Sequence, residues 1–118
     1  MKEQSNKALT TAIVHEIAQA ESLKVSGDYH SAFYHLERAH VLGQTSTYLH
    51  TRIHWRMFKL AIKQHSPREI WGQIVRIIGA STKTPFGIYP KGNTGGANVW
   101  FFKPMPIPED LEKILFRK

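Results

Sequence analysis

There is no cysteine in this chain. That excludes disulfides, thiolate metal sites and cysteine nucleophiles, so any metal has to be held by nitrogen and oxygen. Acidic residues are scarce too: nine Asp and Glu stand against sixteen Lys and Arg, a formal charge of +7. Between Arg38 and Pro108 the only carboxylate is Glu69. A field of that sign favours anionic partners, nucleic acid or an acidic protein among them, although a merely solubilising surface has the same composition. No apolar run approaches the ~18 residues of a membrane span, and the N-terminus lacks the apolar core of a signal peptide. The expected location is therefore the cytoplasm. At 118 residues there is room for one domain and a modest core.

What is present is helical periodicity. Leu9, Ile13, Ile17, Ala20 and Leu23 recur at three- and four-residue spacing and predict a first helix from about 7 to 24, after a frayed polar start at 1–6. Asp28 is placed to cap a second helix over 28–42, with Gly27 turning into it. Tyr29, Ala32, Phe33, Leu36, Ala39 and His40 share its core face, and Gly43 is expected to end it in the left-handed conformation. Ser46 or Thr47 starts a third helix running to about 65. Ser66-Pro67-Arg68-Glu69 reads as a capping box with proline in the first turn, opening a fourth helix that Gly79 ends. Ile70, Trp71, Ile74, Val75, Ile77 and Ile78 make that helix apolar around most of its circumference, marking it as central or as half of an interface.

The expected architecture is a single all-α domain, an antiparallel bundle of four helices. The helical core spans 1–79, an irregular Gly/Pro-rich arm 80–108, and a short terminal helix 109–117. Within the arm, Trp100, Phe101 and Phe102 are expected to dock on the helices, because three adjacent aromatics left in water would form an exposed apolar patch.

Two resemblances follow from these residues. Gly27-Asp28-Tyr29, Ala32, Leu36, Ala39 and Leu42, with Ala20 and Leu23 before them, resemble the helix pair of a tetratricopeptide repeat over roughly residues 10–44. Over nearly the whole chain, Glu37 to Gln44, His50, His54-Trp55, Gly92 to Val99 and Phe102 to Pro108 resemble a small bacterial domain-of-unknown-function family, number 3703. The second resemblance implies a bacterial source and a shared fold, and implies no chemistry.

The residues that can carry chemistry are histidines. Glu37-x-x-His40 sets a carboxylate and an imidazole one turn apart on the second helix, and His50-x-x-x-His54 sets two imidazoles one turn apart on the packing face of the third. A short turn joins the two helices, so they run antiparallel, His40 lies as far before the turn as His50 lies after it, and Glu37 is expected beside His54. Four ligands then converge on a site for Zn²⁺ or another divalent ion taking nitrogen and oxygen ligands. A structural reading stands beside it, in which the rings bond to one another, to Glu37 or to the backbone, with Trp55 and Arg38 sealing the site.

On the opposite face of the third helix Arg52, Arg56, Lys59 and Lys63 form a cationic stripe, a candidate interaction surface. Gly92-Asn93-Thr94-Gly95-Gly96 offers backbone N–H groups but lacks the strand before and helix after that a phosphate loop requires, and reads as a structural turn. No nucleophile elbow or acidic dyad is present, and no catalytic residue is assigned. The leading expectation is a protein-interaction scaffold that meets a protein partner or a second copy of itself. The alternative is metal binding through Glu37, His40, His50 and His54, and the third reading is nucleic-acid binding through the stripe.

Overall fold

Three short polar side chains set the frame by occupying N–H groups that a helix start leaves free. Asp28 accepts from the Ser31 N–H at 3.2 Å, Ser46 from Leu49 at 3.3 Å and Ser66 from Glu69 at 3.4 Å. They open the second, third and fourth helices of a computed structural model that describes residues 2–88, 90–97, 99 and 103–116. In chain order the helices are α1 (Lys2–Val25), α2 (Tyr29–Gly43), α3 (Thr47–Lys63), α4 (Pro67–Lys83) and α5 (Glu109–Leu115), with a 3-10 turn at Thr84–Phe86 after α4. No strand occurs among the described residues.

Each of the first four helices packs on its neighbour in sequence. Small residues bring α1 and α2 close: Ala20, Ala32 and Ala39 are buried together with Leu36, and α3 adds Ile53, Met57 and Leu60. A second cluster of Ile13, Val41 and Leu42 receives Leu111, so α5 lies against α1 and α2. Arg38 ties that corner together, donating from Nε to Glu16 at 2.9 Å and from Nη2 to Asp110 of α5. It is thereby turned away from the role of sealing the histidines.

Several boundaries differ from those expected. α1 begins at Lys2, because the polar residues before the apolar stripe include no helix breaker and the helix runs on through them. Gly43 is the last residue of α2 and is not left-handed. Its smallness serves packing instead, since a Cβ there would come 3.0 Å from the Ile53 side chain. α3 stops at Lys63, and the left-handed residue after it is His65, at φ 53°. α4 passes through Gly79 to Lys83, where Thr82 back-bonds to the Ile78 carbonyl at 2.7 Å.

The capping box is half formed. Ser66 makes its bond, but the Glu69 carboxylate accepts from the Ala97 N–H at 2.7 Å and from Gln73 at 3.2 Å. Trp100, Phe101 and Phe102 lie outside the described residues. Among the described residues no helix is long and apolar enough to cross a membrane.

Candidate metal centre

The short turn between α2 and α3 reverses the chain, and the three histidines on the facing sides meet across it. His40 Nε2 lies 2.9 Å from His50 Nε2 and 2.9 Å from His54 Nε2. All three residues are buried, at 2%, 5% and 2% exposure. Their ligand atoms lie within 4.8 Å of one another, and no other His, Asp or Glu among the described residues joins the group.

Every ring also has a partner at its other nitrogen. His40 Nδ1 is 2.7 Å from the Asn93 carbonyl, His50 Nδ1 is 2.8 Å from Thr84 Oγ1, and His54 Nδ1 is 2.6 Å from Gln73 Oε1. These contacts fix tautomers. A backbone carbonyl only accepts, so His40 donates from Nδ1. The Gln73 amide nitrogen donates to the Gly95 carbonyl at 2.8 Å and to Glu69 at 3.2 Å, which leaves its oxygen facing His54 and makes His54 a donor from Nδ1 as well. A neutral imidazole has one N–H, so the Nε2 atoms of His40 and His54 both carry lone pairs and face each other with no proton between them. Thr84 can donate or accept, so His50 alone is free to place a proton toward His40.

Protonating a ring is not a way out of that contact. Burial pushes the pKa of His50 down to about 4 and that of His54 down to about 3, and it holds His40 well below the ordinary value. For His40 and His54 the neighbouring rings and Arg76 push further in the same direction.

Glu37 does not stand beside His54. It lines a separate groove with His30, Tyr34 and Glu69, where burial and then the Glu69 charge raise its pKa against the lowering effect of a bond from Thr94. Residues three apart on a helix differ by about 60° in direction, enough to carry Glu37 off the face that presents His40. The place expected for it at His54 is taken by Gln73 of α4. Trp55 does not seal the site either: it is 43% exposed and stacks on Phe58.

The glycine loop forms the roof of the centre. Gly95, at φ +87°, lies so close that a Cβ would come 2.8 Å from the His40 ring. Three of the loop's N–H groups are taken by the protein's own side chains: Gly92 donates to Gln44 at 2.9 Å, Gly95 to Asn93 at 2.8 Å and Ala97 to Glu69 at 2.7 Å. These three are not open to a bound phosphate.

On the α4 side a cavity of about 280 Å³ reaches the three rings, walled by Val75, Ile78, Ile88 and Pro90, with Arg76 and Lys83 also lining it. Of the cationic stripe, Arg52, Lys59 and Lys63 are exposed, while Arg56 is half-buried and pairs with Glu21 at 2.9 Å.

The sequence gives Thr84 and Gln73 no role at the site and places Asn93 only in the structural turn at 92–96. Gln73 alone left a signal there, as a polar residue one turn from Glu69. A family model described as Protein of unknown function (DUF3703) matches residues 7–115. No curated protein and no solved structure matches.

Proposed function

The chain belongs to the DUF3703 family, whose description names no activity, and from its own geometry we propose that it is a divalent-metal-binding protein centred on His40, His50 and His54. The observation that carries this reading is the unprotonated contact between His40 Nε2 and His54 Nε2 at 2.9 Å. Two lone pairs so close in a buried site repel each other, and an ion between them turns that repulsion into ligation. The partners at Nδ1 support it, since metal-bound histidines nearly always donate their other N–H to a carbonyl or comparable acceptor, which holds ring and tautomer in place.

Three imidazoles suit Zn²⁺ and its first-row neighbours, and three histidine ligands are the set that leaves a fourth position open. Two nitrogens bound tetrahedrally at about 2.0–2.1 Å are about 3.3 Å apart. For the His40–His50 and His40–His54 pairs, reaching that from 2.9 Å requires a spread of only a few tenths of an ångström. Metal analysis of protein purified without chelator tests the proposal: about one ion per chain is expected, and none once His50 and His54 are both replaced by Ala. A wild-type chain that retains no ion and gains no melting temperature from added Zn²⁺ contradicts it.

A second reading, an interaction module, is supported by Trp71 and Ile78, which are 68% and 60% exposed on α4. A solution mass above that of one chain, lost in Trp71→Glu, is its test. The burial of Ala20, Ala32 and Ala39 where α1 meets α2 supports the tetratricopeptide-like reading of that hairpin.

A further inference from the structure

The cavity beside the histidines has apolar walls and an excess of positive charge. Arg76 is half-buried, and it donates from Nη1 to the Gly72 carbonyl at 3.2 Å and from Nη2 to the Val99 carbonyl at 2.7 Å. Both partners are neutral and hold the guanidinium in place, while the Glu69 carboxylate acts on it from outside the cavity lining. Lys83 also lines the cavity, and no carboxylate does among the described residues. Three neutral imidazoles leave the full double charge on a bound divalent ion, which adds to the same field.

Resting on the metal-centre reading above, we propose that this cavity binds a small carboxylate with an apolar body, its oxygen taking the open coordination position, its charge facing Arg76 and its body lying against Ile78, Ile88 and Pro90. The charge selects an anion, because Arg76, Lys83 and the bound ion are all cationic and no carboxylate lines the cavity among the described residues. The walls select an apolar body, because a bare inorganic ion would exchange its hydration for hydrocarbon. The volume, about 280 Å³, sits just under the ~300 Å³ at which pockets for drug-sized ligands begin. A guanidinium has five N–H donors in one plane, so those not engaged by Gly72 and Val99 remain to match a planar carboxylate.

The test loads the protein with Co²⁺, whose visible absorption reports its ligands, and titrates benzoate, acetate and benzamide. Benzoate is expected to shift the spectrum saturably, at least tenfold tighter than acetate, which lacks the apolar body, and at least tenfold tighter than benzamide, which lacks the charge. Arg76→Met is expected to weaken benzoate at least tenfold with Co²⁺ stoichiometry unchanged; should that variant fail to fold, the wild-type ligand series decides. A spectrum that benzoate leaves unmoved, or equal affinity for all three probes, overturns this proposal while leaving the metal centre standing. Absence of Co²⁺ uptake overturns both.

Discussion

At the scale of single residues, the centre depends on three groups that hold the rings from outside, and Gln73 is the most exposed to test. Gln73→Leu leaves the His54 Nδ1–H without its acceptor in a buried site. The expected cost is about 1–3 kcal/mol of stability, read as a drop in melting temperature, together with a 10–100-fold loss of Zn²⁺ affinity in chelator competition. A variant that melts and binds like the wild type would mean that Gln73 does not orient the ring. Acid is a second handle. The folded pKa values of His50 and His54 lie near 4 and 3, below the ~6.5 of an unfolded histidine. The unfolded chain therefore binds more protons between those values, and stability must fall as pH falls. The contribution is fully present above pH 6.5 and is lost progressively below it, at about 1.4 kcal/mol per ring for each pH unit down toward the folded values. Urea unfolding of the metal-free protein at pH 7.5, 6 and 5 checks this, and a flat profile contradicts it.

At the scale of elements, the loop over the centre and the outer face of α3 make opposite predictions. Gly95→Ala forces a side chain into a left-handed backbone and against the His40 ring, 2.8 Å away. It should destabilise by about 1–3 kcal/mol and weaken metal binding with it, in the same melting and competition assays. Lys59→Gln combined with Lys63→Gln touches only exposed side chains and should change stability by no more than about 0.5 kcal/mol. A larger effect would mean that the stripe meets something in the folded protein. The contrast also shows what the sequence makes legible. Caps at Asp28, Ser46 and Ser66 and the apolar spacing of α1 to α4 are local signals, and helices stood where they pointed. Gly43 misled because a glycine carries one signal for two uses, ending a helix or admitting a neighbour; Gly79, where a Cβ would meet nothing within 4 Å, serves neither. Glu69 misled because its carboxylate was claimed by Ala97, 28 residues away in sequence, and nothing local announces that.

At the scale of the whole molecule, the convergence of His40, His50 and His54 was legible because it needs only two amphipathic faces and one short turn. The misplacement of Glu37 was not, because it depends on how α2 is rotated against α3 and on α4 filling the space beside His54. Asn93 and Thr84 reach the rings across 53 and 34 residues of sequence, a matter of how the loop returns over the bundle. The assembly joins α2, α3, α4 and that loop through one small polar cluster, so whatever binds there should stabilise all four together. The most direct test is ring-nitrogen NMR of the ¹⁵N-labelled, metal-free protein during a Zn²⁺ titration at pH 7.5. Neutral rings protonated at Nδ1 are expected for His40 and His54, with Nε2 signals of all three histidines that shift together and saturate at one equivalent. Nε2 signals that do not respond to Zn²⁺, or His40 and His54 protonated at Nε2 before it is added, would contradict the metal-centre reading.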